Sequence, residues 1–340
     1  MTDTANVNTP SFSSLTCWAI ADGAAGHQSQ LRGLAEAIGV TSIPFDARVR
    51  FPWTLLPSPL VSLKPGTFRS TEKVLQLPAP DLIMSCGRQA ALAALSYKKA
   101  YNNSAFLIHL QDPQRSRNSF DLIVAPEHDN LQGKNVIQTL GAMHPLSLEK
   151  LQEAARIGPV SGLDKLTSRF IAVLLGGPNK YYAFDEKDVQ KLTEHLQSAA
   201  TDDLQLAIIP SRRTPSKATA ALSQTFGEDH FVWDGKGENP YLSALALCSY
   251  CVVTSDSVSM ISEATATGQP VFIEMLDEKR PAKKFQHFHK SMIEGSFAKP
   301  FDGSIEDWMY QPPDETTRVA ERVQQELAKK WPNNKEKANA

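Results

Sequence analysis

The chain has little cysteine, no long apolar run, no surplus of one charge and no dinucleotide fingerprint. Each shortage removes a class of protein. Four cysteines in 340 residues are too few for a disulfide framework. Cys17, Cys86 and Cys251 fall in or at the end of apolar, strand-like runs. Cys248 and Cys251 form a CxxC, but no second CxxC or paired histidine completes a zinc set, so the pattern fits reduced cytosolic thiols. No apolar run approaches the ~20 residues of a membrane span. A net charge of −2 argues against a general nucleic-acid binder, so no nucleic-acid partner is expected. No GxGxxG follows a strand, which disfavours a dinucleotide site and places a dehydrogenase last among the candidates. The N-terminus carries no positive charge before its first apolar residues, unlike a signal or transit peptide, and residues 1–14 read as a disordered leader.

What is present is a two-domain α/β pattern. The length favours two domains, and 41% hydrophobic residues suffice for packed cores. The stretch from 250 to 274 organises the rest. Cys251 to Val253 is a buried-strand run, and Thr254, Ser255, Asp256 and Ser257 can cap the helix that Val258, Ser259 and Met260 open. Gly268 and Pro270 end that helix, and Pro270 to Ile273 returns as a strand. This β–loop–α–β unit puts hydroxyls at the carboxyl end of a strand, where open α/β sheets bind ligands. The helix N-terminus favours a phosphate. Glu263, about a turn and a half further on, has a carboxylate suited to a ribose diol.

Leu15 to Ala21 is another apolar run, broken by Asp22, Gly23, Ala24, Ala25, Gly26 and His27. Leu31, Leu34, Ala35 and Ile38 then follow helical spacing. Gly23 and Gly26 would let the backbone approach a ligand, with His27 at the loop's mouth as a base or an anion donor. Strands are predicted at 41–45, 81–85, 105–110, 120–124 and 135–139. Gly87 and Arg88 follow the second of these, and Arg88 can meet an anion there. Residues 50–80 hold six prolines, with a short helix predicted around Glu72 to Leu75. Phe51, Trp53, Leu55, Leu56 and Leu60 make that segment unusually apolar. It reads as an acceptor or membrane-surface contact, against the commoner alternative of packing on the core. Glu127, His128 and Asp129 resemble a base with its orienting groups, although adjacent residues point in different directions.

Residues 156–168 are polar and irregular and read as a linker. The second half then repeats the first. A strand from Arg169 ends in Gly176, Gly177, Pro178, Asn179 and Lys180, and a strand from Leu204 ends in Ser211, Arg212, Arg213 and Thr214. Lys180, Arg212 and Arg213 share a place at strand ends, where they could neutralise a diphosphate. The predicted architecture is therefore two Rossmann-like βα domains facing across a cleft. The first spans 15–155 and the second, with the candidate diphosphate cations, 169–312 on the nucleotide side.

Several of these motifs together resemble one family. They are Ala21 to Gln30, Gln111-Asp112-Pro113, Phe120 to Asp129, Asn135-Val136, Gly176-Gly177-Pro178, Ser211 to Thr214 and Thr254 to Met260. In that order they are similar to the bacterial members of the mitochondrial fission Elm family. That family in turn resembles GT-B glycosyltransferases, particularly the peptidoglycan N-acetylglucosaminyltransferase type. The resemblance implies an acceptor-facing role for Asp22 to His27, so that 15–155 is the acceptor side, and a helix at 313–332 that packs back toward that domain. It gives phosphate and ribose contacts to Ser255, Ser257, Ser259 and Glu263. The expected activity is glycosyl transfer from a nucleoside diphosphate sugar as substrate, with no cofactor and no metal. His27 or Asp22 is the expected base, and Arg212 the expected partner of the leaving diphosphate. The acceptor is open, with a lipid-linked one considered. The expected location is the cytoplasm, with peripheral contact at the inner membrane through 51–60. Two rivals stand beside this reading. One is an epimerase or hydrolase of the same nucleotide sugar, with Glu127, Asp129 and Glu274 as extra cleft carboxylates. The other is a non-catalytic adaptor of the Elm family.

Overall fold

The computed structural model describes residues 12–57, 60–69, 74, 76–102, 104–166 and 169–332. The chain forms two compact units, one of residues 1–145 with 314–340, the other of 146–313. Each is built on a six-stranded parallel sheet.

The first sheet contains β1 (Cys17–Ala21), β2 (Ser42–Asp46), β3 (Leu82–Cys86), β4 (Phe106–Leu110), β5 (Leu122–Pro126) and β6 (Val136–Thr139). Its order is β2-β1-β3-β4-β5-β6. The chain steps outward from β1 to β2, then crosses back to β3, so the order reverses between β1 and β3. The strands read as continuous apolar runs because both sheet faces are covered. Cys17, Ala19 and Ala21 pack on one face with Leu31, Leu34 and Ile38 of α1 (Ala25–Ile38). The same core takes Val319, Val323 and Leu327 of the last helix (Glu315–Lys330). Trp18 and Ile20 point to the other face, which the alanine-rich helix α2 (Arg88–Ala100) covers.

The second sheet holds β7 (Arg169–Leu175), β8 (Leu204–Pro210), β9 (Phe231–Val232), β10 (Tyr250–Thr254), β11 (Val271–Glu274) and β12 (Lys299–Pro300). Its order is β12-β11-β10-β7-β8-β9, with the reversal between β7 and β10. Helices α4 (Glu186–Ala199) and α5 (Ser216–Phe226) pack on β7 and β8 through Leu192, Leu196 and Leu222.

Three boundaries move from those read in the sequence. Phe12 is fully buried in the first core, so the leader read for 1–14 ends before it; residues 1–11 lie outside those described. Helix α3 (Leu148–Ile157) belongs to the second unit, which places the division before the predicted 155. The stretch read as a linker is tied down there. The hydroxyl of Ser243, in α6 (Tyr241–Leu247), donates to Gly158 O and accepts from Val160 N–H. The short helix predicted around Glu72 to Leu75 falls mostly outside the described residues.

Candidate functional site

Loops at the carboxyl ends of parallel strands bind ligands where the strand order reverses. Each unit gathers polar side chains at that point.

In the first unit the loop after β1 brings Asp22 and His27 together, with His27 Nδ1 2.6 Å from Asp22 Oδ1. Gly23, at φ +91°, makes the turn between them. Burial of Asp22 would raise its pKa, but the hydrogen bond and charge of His27 and the Ala24 N–H outweigh it and hold the carboxyl below its ordinary range. An ionised Asp22 must accept, so His27 Nδ1 carries the proton and Nε2 is left as the basic nitrogen. Gly87, at the end of β3, makes the arrangement possible. Its φ is +95°, and a Cβ there would collide with the Asp22 carboxylate and stand 2.8 Å from His27 Nδ1. So segments 65 residues apart in sequence meet at the β1/β3 reversal because one of them has no side chain. Gly26 lies inside the first turn of α1 rather than in the loop, a correction to the sequence reading, while Arg88 is exposed at the start of α2. Near the pair, buried His109 of β4 meets Ser85 Oγ at 2.8 Å. Burial, then the nearby His27, push its pKa down to about 3, which keeps it neutral.

In the second unit the centre is Asp256. One of its oxygens accepts from Gly177 N–H at 2.9 Å and Arg213 Nη2 at 2.8 Å, and the other from Thr254 Oγ1 at 2.7 Å. Burial raises its pKa, with Arg213 and the Gly177 N–H offsetting part of that. Thr254 Oγ1 also accepts from Gly176 N–H at 2.8 Å. The glycine pair is there for this contact. A Cβ on Gly176 would collide with the Asp256 carboxylate, and one on Gly177 with the Arg213 carbonyl. Arg213 Nη1 closes the knot on Gly177 O at 3.0 Å. Ser211 Oγ donates to Gly176 O at 2.9 Å, and Asn179 Nδ2 to Asp256 O at 3.3 Å.

Several residues predicted to touch a ligand also build the loops. Gly176, Gly177, Asn179, Ser211, Arg213 and Asp256 hold the loops after β7, β8 and β10 to one another. Ser255 is fully buried, and its hydroxyl accepts from Leu276 N–H at 3.0 Å. Ser257 Oγ caps α7 (Val258–Thr265) on Met260 N–H. Ser259 and Met260, half-buried in the first turn of α7, remain at the edge with Glu263, and Lys180 and Arg212 are exposed there. Glu263 accepts a hydrogen bond from Tyr241 Oη at the start of α6. Burial, then the Glu263 charge, hold the Tyr241 phenol protonated and donating.

Two carboxylate sets named for the rival enzyme are placed differently. Glu274 is buried and paired with Lys191 at 3.0 Å and His195 at 2.8 Å, both from α4. Glu127, His128 and Asp129 form a single short turn after β5, with His128 Nε2 3.9 Å from Asp129 Oδ1. Among the described residues no group of three His, Cys, Asp or Glu is arranged to hold a metal ion. Sequence reasoning named Thr254 only as a capping hydroxyl, not as the partner of Asp256 and Gly176, and missed Tyr241. Nothing local marks Tyr241, 22 residues before its partner.

Two parallel sheets of this kind make the chain a GT-B-like α/β protein. Its relatives give the family. The model described as Mitochondrial fission ELM1 matches residues 25–327, and the chain belongs to that family. It is 27% identical to Mitochondrial fission protein ELM1 of Arabidopsis thaliana over 77% of this chain and 67% of that one. It is 26% identical to an uncharacterized protein of Rickettsia prowazekii over 91% of this chain and 98% of that one. Among solved structures, the S. aureus MnaA–UDP co-structure matches at a TM-score of 0.54 and 13% identity, covering 94% of this chain and 97% of that one. The Methanocaldococcus jannaschii UDP-GlcNAc 2-epimerase in complex with UDP-GlcNAc and UDP matches at 0.53 and 13%, covering 93% and 100%. At such identities the likeness is one of fold.

Proposed function

We propose that the second unit binds a nucleoside diphosphate sugar at the β7/β10 reversal and that the protein transfers the sugar to an acceptor hydroxyl without a metal. The observation that carries this reading is the pairing of the α7 N-terminus with a Glu263 carboxylate already oriented by Tyr241. The leading N–H groups of a helix have no partner within it and point outward as phosphate donors. Glu263, oriented by the phenol, is a carboxylate of the kind that accepts hydrogen bonds from a ribose diol. Lys180 and Arg212 add positive charge at the same edge. In the reaction the acceptor oxygen forms a bond to the anomeric carbon, and the bond from that carbon to the diphosphate breaks. The acceptor's proton passes to His27 Nε2, while Asp22 holds the imidazole and stabilises it once charged. The diphosphate leaves with its charge on the helix N-terminus and Arg212. The reading sets the reaction in the cytoplasm, with lipid-linked hydroxyls as the first acceptor class to try.

The test is thermal unfolding across a panel of nucleoside diphosphates and their sugars, headed by UDP and UDP-GlcNAc, which solved structures of the same fold hold. A ligand at about a hundred times its dissociation constant adds roughly 2.7 kcal/mol. Stabilisation by one nucleotide that Glu263→Ala abolishes supports the donor site. No shift with any nucleotide sinks it and gives the weight to the adaptor. Turnover of the bound sugar with no acceptor present moves the assignment to an epimerase or hydrolase.

A further inference from the structure

Residues 47–69 carry Arg48, Arg50, Lys64 and Arg69 and no acidic residue, within a chain of net charge −2. The same stretch holds four of the large apolar side chains exposed in the structure. Phe51 and Leu55 are each 75% exposed, Leu60 64% and Leu56 36%. The backbone on either side of them is pinned. Val49 bridges Phe68, Arg50 N–H donates to Thr67 O at 2.8 Å, and Arg69 N–H donates to Arg48 O at 2.9 Å. Gln89 Oε1 accepts from Val49 N–H at 2.8 Å, and Arg115 Nη1 donates to Val61 O at 3.0 Å. Val49, Val61 and Phe68 are buried in the core with Trp18, and Trp53 packs against it. The loop is thus anchored by one set of apolar residues and holds another set out in water. A clustered apolar surface of this kind marks a docking site.

The charge pattern names the occupant. Arg48 is taken up by Asp46 at 2.6 Å, but Lys64 and Arg69 are exposed in the same segment. Exposed apolar side chains and exposed cations in one segment that holds no carboxylate match the boundary between acyl chains and anionic headgroups. We propose that this loop docks the protein on anionic phospholipid bilayers, with Phe51, Leu55, Leu56 and Leu60 entering the interface and Lys64 and Arg69 on the headgroups. Docking of this kind is peripheral, since among the described residues no helix is long and apolar enough to cross a membrane. The inference stands apart from the donor site. If both hold, the loop brings the first unit to the surface where a lipid-linked acceptor would lie.

The test is co-sedimentation of the full chain with vesicles of phosphatidylcholine alone and of phosphatidylcholine mixed with phosphatidylglycerol. Wild type should bind the mixed vesicles, more weakly as salt is raised. The pair Leu55→Asp and Leu60→Asp should cut binding more than tenfold. The pair Lys64→Glu and Arg69→Glu should cut it at least about thirtyfold on mixed vesicles, from the contribution of each cation near a charged surface. Both variants should melt with the wild type, because the replaced side chains are exposed. Glu263→Ala should bind vesicles normally, which separates failure here from failure of the donor reading. Wild type that ignores both vesicles, or variants that bind as well as it does, would overturn the proposal. So would a wild-type dimer that Leu55→Asp with Leu60→Asp dissolves, which would give this face to a second copy of the chain.

Discussion

The two units place their polar clusters at the same topological point and spend them in opposite ways. At the β1/β3 reversal the first unit keeps a two-residue arrangement, Asp22 on His27, with the imidazole's second nitrogen left over. At the β7/β10 reversal the second unit uses Asp256, Arg213, Thr254 and a glycine pair to knit three loops, and presents a helix N-terminus in front of them. On the proposed reading, the first edge would serve to move a proton and the second to hold an anion. A parallel sheet supplies the location alike in both; what differs is whether the acidic side chain meets an imidazole or a guanidinium and backbone amides.

The largest effect that would test this contrast is on turnover. His27→Ala should lower kcat by about 10²- to 10⁴-fold while leaving nucleotide affinity unchanged. A nucleotide affinity that fell with it would erase the division of labour. Stability comes next. Gly176→Ala forces a methyl into the Asp256 carboxylate and should cost about 3 kcal/mol in denaturant unfolding. Gly23→Ala meets nothing nearer than 3.8 Å and pays only for its positive φ, about 1 kcal/mol. Equal costs would mean that the second knot is looser than its geometry. Third, Tyr241→Phe should weaken nucleotide binding about fivefold, one hydrogen bond's worth, with kcat little changed; unaltered affinity in a titration would free Glu263 from its positioning partner.

The smallest effect is in the acid limb, and its sign differs between the units. Asp22 is held below its ordinary value of 3.8, so its charged form stabilises the fold. That contribution is complete above 3.8 and is lost as pH falls through the lower folded value. Asp256 is raised above 3.8, so the fold prefers it protonated, and its contribution grows as pH falls through the raised value toward 3.8. Relative to wild type, Asp22→Asn should therefore lose least at the most acidic pH, and Asp256→Asn should look worst there. Unfolding curves from pH 3 to 7 for both variants would show lines of opposite slope, and parallel lines would remove the distinction.

Much of the framework was legible along the chain. The apolar runs at 17–21, 82–86, 169–175 and 250–254 are strands because parallel strands are buried on both faces and leave few polar positions. Asp22 and His27 are five residues apart, and Ser257 caps the helix that directly follows it, so local spacing was enough to nominate them. The edges of units were harder. Phe12 sits in polar surroundings in sequence, and β12 is a two-residue strand with no periodicity of its own.

By itself the sequence determined the βα alternation, the two-domain scale, the glycine loops at strand ends and the family motifs. All of these are written in residues that are neighbours or lie a helical turn apart. Only tertiary structure decided which polar groups are consumed. Gly87 makes room for Asp22 and His27, Asp256 turns inward to Arg213 and Gly177, Tyr241 reaches Glu263, and Glu274 is buried under Lys191 and His195. The reason is physical. A hydroxyl or carboxylate at a strand end is equally able to serve a ligand or a buried N–H. The choice rests on which backbone amides the packed sheet leaves beside it in need of a partner.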